Sequence, residues 1–129
     1  MSAQMGEDKR RSERLEVNFT VTYKVDKPPE IFMMVGGQEV YAVMLDLSEG
    51  GMAIVTEYNV PAKSILVIHF TLINTAAPEE ERTRHMDIVG EVRYNMPYER
   101  EEYRLGIKFT QIAPDDKAAI AEFVKSSPK

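Results

Sequence analysis

Two short polar clusters carry the side chains of this sequence that could do binding chemistry. The first is basic: Lys9, Arg10, Arg11, Ser12, Glu13 and Arg14. The second is Asp46-Leu47-Ser48-Glu49-Gly50-Gly51, which interrupts a run of apolar, β-forming residues. A guanidinium group is planar and forked. It matches phosphate oxygens and the O6/N7 edge of guanine, and it can stack on a purine. An ionised Asp is an acceptor only, so Asp46 can take hydrogen bonds from the N1 and N2 groups of guanine. Ser48 lies two residues further on, where such a side chain bonds nearby backbone N–H groups and fixes a turn. Gly51 is expected to allow φ > 0 and, lacking a Cβ, to let a flat ligand approach the backbone. Alone, each cluster has a plainer reading: a solvated basic arm and a capped β-turn. Together they point to a guanine nucleotide held by two pieces of chain. Arg10, Arg11 and Arg14 come from one piece, and Asp46, Ser48 and Gly51 from the other.

Little else in the chain offers chemistry. There are no cysteines, which removes disulfides, thiolate catalysis and cysteine-bound zinc, and fits a reducing compartment. The two histidines, His69 and His85, lack metal-ligand spacing with carboxylates. His69 falls within a strand pattern and is expected at the core edge or surface. No catalytic constellation stands out, so no enzyme activity, cofactor or metal is expected. The formal net charge is −5, from 16 basic and 21 acidic residues. An acidic surface disfavours a long polyanion, whose binding rests on many Lys and Arg contacts to phosphate. A small anionic ligand held by one basic arm is compatible with that balance.

The elements that must position these residues read mainly as β. Val17, Phe19, Val21, Tyr23 and Val25 alternate with polar residues as a first strand, which Asp26-Lys27-Pro28-Pro29 ends. Further strands are expected over residues 40–47, 52–56, 64–72, 86–94 and 103–109. Gly90, in the middle of the fifth, suggests a bend or bulge. Residues 74–84 read as a polar, acidic connection. Ala113-Pro114-Asp115-Asp116 looks like a helix start, and Ile120, Phe123 and Val124 give one apolar stripe over about three turns. The eight methionines are expected to fill the core. Six strands and one helix in this order suggest a small antiparallel barrel or closed sandwich. No apolar run approaches the roughly 20 residues of a membrane span, so no membrane insertion is expected. The first residues show no apolar signal-peptide core, and a cytoplasmic location is expected.

The spacings RxxxR (Arg10 to Arg14) and DxSxxG (Asp46 to Gly51), in order and in this strand context, resemble the PilZ domain family of bacterial cyclic di-GMP receptors. The segment Tyr103-Arg104-Leu105-Gly106-Ile107-Lys108-Phe109 is similar to the family's closing strand. The resemblance covers most of the chain. It implies a six-stranded antiparallel β-barrel with a C-terminal α-helix, a disordered tail over residues 1–9 and a single domain over 10–129. It assigns Arg10 and Arg14 to the phosphates and guanine faces of cyclic di-GMP, and Asp46, Ser48 and Gly51 to guanine recognition. Arg11 adds a contact, and Lys9 is a long-range helper. One departure is an apparent insertion over residues 26–39, whose apolar stretch Ile31 to Val35 reads as core cover or as a partner surface.

The function implied is a cyclic di-GMP receptor that changes its surface on binding and signals to a downstream protein. The arginine arm is expected to be mobile without ligand and ordered with it. Two other readings stand beside it. One is an adaptor of the same fold that works by protein contact without nucleotide. The other is a small barrel for single-stranded nucleic acid, which the acidic charge and the lack of an aromatic stacking platform disfavour.

Overall fold

The computed structural model describes residues 15–29 and 39–126. Six strands follow in order: β1 (Leu15–Lys27), β2 (Val40–Ser48), β3 (Gly51–Thr56), β4 (Ile65–Ile73), β5 (Thr83–Pro97) and β6 (Tyr103–Gln111). One helix, α1 (Pro114–Ser126), ends the described chain. The strands close into a barrel in the order β1-β2-β3-β6-β5-β4, with every neighbouring pair antiparallel. β1 closes the ring, because its first part pairs with β2 and its last part with β4. Closure removes free sheet edges, the standing hazard of an all-β fold.

The alternation read from the sequence sets which residues face inward. Val21, Tyr23 and Val25 are buried on β1, and Leu66, Ile68, Phe70 and Leu72 on β4. They meet Met44, Leu47, Ile54, Met86, Ile88, Val92, Leu105 and Ile107 in one core. Each such apolar side chain contributes roughly 1.5–3 kcal/mol through burial. β1 runs two residues further than the reading, through Lys27 opposite Ile65, and Pro28 then stops it. β5 is longer than the alternation suggested at both ends. Ladders with β4 (Thr83 opposite Ile73) and with β6 (Pro97 opposite Tyr103) carry it past its apolar stretch. The expected irregularity at Gly90 is present as a register shift between Val89 and Gly90. Met44, Met52 and Met86 fill the core as expected, but Met96 is exposed on β5. Both histidines lie on the outer face: His69 Nε2 is 2.9 Å from Glu39, and His85 Nδ1 is 2.8 Å from Thr71.

Helix α1 buries its stripe of Ile120, Phe123 and Val124 against the barrel core. The Phe123 ring meets Phe19 of β1 at 5.9 Å between centroids. Asp115 and Asp116 occupy its first turn, where acids suit the helix dipole. Arg84 Nε donates to Asp116 Oδ1 at 2.8 Å and ties that end to β5. The connection from β4 to β5 is polar, as read, and holds a short 3-10 turn over Glu79–Glu81. Residues 1–14 and 30–38 lie outside the described residues, so the expectations for Lys9, Arg10, Arg11, Arg14, the N-terminal tail and Ile31 to Val35 lie outside them too.

One buried polar pair fixes the inside of the barrel. The Tyr23 hydroxyl and Thr56 Oγ1 lie 2.8 Å apart across the core, and burial pushes the Tyr23 phenol up from 10.0 to about 12. Replacing Tyr23 by Phe removes this bond and leaves Thr56 Oγ1 only the Tyr58 N–H, at 3.3 Å; it is expected to cost about 1 kcal/mol in urea unfolding near neutral pH. The raised value also gives a pH signature. The unfolded chain loses the phenolic proton near pH 10 while the native state holds it to about 12. The stabilisation is therefore complete below pH 10 and lost as pH rises through that window, at roughly 1.4 kcal/mol per pH unit. Stability profiles from pH 9 to 12 should fall more steeply for wild type than for Tyr23→Phe; parallel profiles would contradict this assignment.

Candidate functional site

The second cluster sits on the β2–β3 hairpin. On β2, Ala42 and Met44 point into the core, and Asp46 and Ser48 share their parity. A regular strand would drive the carboxylate into the barrel. A one-residue register shift between Met44 and Asp46 prevents this. Beyond it, Leu47 takes the inward position with no exposed surface, and Asp46 turns to the outer face. A bulge of this kind re-aims side chains by inserting one extra residue against the partner strand.

Ser48 braces the turn. Gly50 N–H donates to Ser48 Oγ, and Ser48 Oγ donates to the Gly51 carbonyl, both at 3.3 Å. Ser48 is buried, so its first task is this local bonding, as the capped-turn reading expects. Gly51 differs from expectation in its reason. Its backbone lies outside the left-handed region, and a Cβ there would sit 2.2 Å from the Ile107 carbonyl oxygen of β6. Close approach of β3 and β6, rather than a positive φ, requires glycine here. Gly50 in the turn has open space around its Cα, and its carbonyl accepts from Phe109 N–H at 2.9 Å.

A row of side chains crosses the outer face from this turn. Glu16 of β1 lies opposite Asp46, Asp46 opposite Ala53 of β3, Ala53 opposite Gly106 of β6, and Gly106 opposite Tyr94 of β5. The two middle residues are the smallest available, so they form a floor between Asp46 and Tyr94. The Tyr94 ring occupies the space above Gly106, where a Cβ would come within 2.0 Å of it. Arg104, two residues before Gly106 on β6, spans this floor. Its Nη2 donates to Asp46 Oδ2 at 3.2 Å and its Nε to the Tyr94 hydroxyl at 3.4 Å. The hydrogen bond with Tyr94 raises the guanidinium pKa further, against the opposing effect of burial, and Asp46 adds to the rise. The reading of the sequence did not select Arg104 or Tyr94 for the site. Arg104 stands 58 positions from Asp46, and only the strand order makes them neighbours.

The structure thus brings Asp46, Ser48 and Gly51 together at one end of β2 and β3. It also shows where the chain joins them. β1 begins with Leu15 opposite Leu47 and Glu16 opposite Asp46, so the barrel is entered beside the hairpin. Arg10, Arg11 and Arg14 precede that entry in sequence and lie outside the described residues. Among the described residues no three His, Cys, Asp or Glu side chains group as a metal site.

The glycine assignments are testable by stability alone. Gly51→Ala must push β3 from β6 and is expected to cost about 1–3 kcal/mol, the scale of overpacking. Gly50→Ala meets open space and should stay within about 0.5 kcal/mol of wild type. Urea midpoints measure both; equal effects would contradict the close-approach account.

A comparison with family models matches the PilZ domain over residues 8–126. No curated protein matches the chain. Among solved structures, the inhibitor of motility MotI/DgrA of Bacillus subtilis aligns with a TM-score of 0.70 at 20% identity, covering 91% of this chain and 50% of that one. PlzA of Borreliella burgdorferi, in complex with c-di-GMP, aligns with a TM-score of 0.59 at 16% identity, covering 94% of this chain and 43% of that one. The PilZ domain of Escherichia coli YcgR, solved with c-di-GMP, aligns with a TM-score of 0.57 at 16% identity, covering 92% and 90%. The chain spans about half the length of the first two. The closed six-strand barrel, its C-terminal helix and the family match over nearly the whole sequence agree: this chain belongs to the PilZ domain family.

Proposed function

We propose that this PilZ domain is a receptor for cyclic di-GMP that converts ligand binding into a changed surface read by a partner protein. One observation carries the proposal: β1 enters the barrel beside Asp46 and Ser48, directly after the arginine motif in sequence. That order along the chain supports two complementary chemistries acting on one ligand. Asp46, on the outer face, accepts from guanine N1 and N2. Arg10 and Arg14, with Arg11 adding a contact, supply forks for the phosphates and the O6/N7 edge. Ser48 and Gly51 hold the hairpin that presents Asp46. The structural neighbours YcgR and PlzA, both solved with c-di-GMP, support the same ligand class.

The receptor acts by binding, without a catalytic step. A ligand shifts a protein only through its differential affinity for two states. Here the element with two states is the arginine arm, ordered over the hairpin when ligand is bound. The downstream protein recognises that ordered surface, and a cytoplasmic setting gives access to the messenger. Among the described residues no helix is long and apolar enough to cross a membrane. The net charge of −5 favours a compact anion over a polynucleotide.

Titration calorimetry with cyclic di-GMP tests the proposal. Wild type should bind, and Arg14→Ala and Asp46→Ala should each weaken binding by about 10–100-fold, the scale of a lost charged hydrogen bond. Absence of heat with wild type, or unchanged affinity in both variants, would refute it. Binding of a protein partner that ignores nucleotide would favour the adaptor reading instead.

A further inference from the structure

We infer that Arg104 is the positioning residue of this site: anchored on Tyr94, it fixes the Asp46 carboxylate on the outer face and makes the pair select guanine over adenine. The inference rests on the cyclic di-GMP reading and goes beyond it, because Arg104 belongs to neither polar cluster.

The geometry has three parts. First, Arg104 reaches Asp46 across a whole strand. The two stand on β6 and β2, and the side chain passes over β3 at Ala53 and Val55, which are both buried. A larger residue at position 53 would block that path. Second, Arg104 is held at both ends. Nη2 donates to Asp46 Oδ2 at 3.2 Å, and Nε donates to the Tyr94 hydroxyl at 3.4 Å. Third, Tyr94 is itself placed by Gly106, whose missing side chain gives the ring its seat. The chain Gly106–Tyr94–Arg104–Asp46 therefore links β5 and β6 to the hairpin.

Such an anchor changes what the carboxylate can do. A carboxylate already held in place needs little ordering when a ligand arrives. It also offers about four acceptor sites, and Arg104 is one of its partners. The pair presents acceptors from Asp46 beside donors from Arg104, which remains 30% exposed. The base-pairing edge of guanine carries the complementary order, donors at N1 and N2 beside the O6 acceptor. Adenine carries an N6 donor where guanine has O6, and that donor would face the guanidinium. Selection against adenine then comes from leaving donors opposed and unpaired.

The test uses NMR titration of the full chain, which reads weak binding, with cyclic di-GMP and cyclic di-AMP as probes. Arg104→Gln should weaken cyclic di-GMP by about tenfold, the scale of a lost charge-assisted hydrogen bond, and shrink its preference over cyclic di-AMP by a similar factor. Arg104→Lys keeps the cation without the fork and should recover part of the loss. Tyr94→Phe keeps the ring on Gly106 and removes only the hydroxyl anchor. It should cost about two- to fivefold, less than loss of the cation. Asp46→Ala removes the group that Arg104 positions, so Arg104→Gln should cost less in that background than in wild type. A merely structural role would give additive losses and an unchanged preference, and either result overturns the inference. Urea midpoints keep folding separate: should Arg104→Gln unfold, Arg104→Lys and Tyr94→Phe decide by the same criteria. Wild type that binds cyclic di-GMP while these variants match it would sink this inference alone. Wild type that binds no cyclic di-GMP would overturn the receptor reading and this inference with it.

Discussion

The candidate site depends on one extra residue in β2. Asp46 shares strand parity with Ala42 and Met44, which are buried in the core. Without the register shift that follows Met44, an ionised carboxylate would face an apolar interior. Burying an unpaired charge there costs far more than a bulge, so the shift is the stable solution. It serves the core and the site at once. Leu47 fills the position that Asp46 leaves, and Asp46 reaches the surface beside the turn.

The same economy appears where β3 meets β6. Gly51 admits the Ile107 carbonyl, Ala53 gives Arg104 a path, and Gly106 seats Tyr94. Small residues in this row let two backbones and one long side chain approach closely. The outer face becomes a shallow floor between Asp46 and Tyr94, with a guanidinium across it. Barrel closure then holds the floor rigid, because every strand in the row is paired on both sides. A site on paired strands is positioned more firmly than one on free loops.

Much of this was legible in the sequence, for physical reasons that differ by residue. The clean alternation from Val17 to Val25 predicted β1, because a strand with one buried face must alternate. Ile120, Phe123 and Val124 revealed the helix by the same logic at another period. Asp46, Ser48 and Gly51 announced a turn, and a turn is present between Ser48 and Gly51. The bulge left only a faint sign, the shared parity of Met44 and Asp46, which a strict alternation count would have flagged. The approach of the Ile107 carbonyl that requires glycine at position 51 was not legible, since a close approach of distant backbone leaves no local trace. Arg104 and Tyr94 were missed because their partnership with Asp46 depends on strand order, a property of the whole fold. The ends of β5 were misjudged because ladder pairing, not apolar alternation, sets them.

Backbone amide shift mapping during a cyclic di-GMP titration tests whether the outer face between Asp46 and Tyr94 and the arginine motif take up one ligand together. Saturable shifts are expected at residues 10–14, in the Ser48–Gly51 turn, and at Ala53 and Gly106, with the β1–β4 face unmoved. Shifts confined to that opposite face, around Thr22 and His69, or no saturable shifts at all, would contradict it.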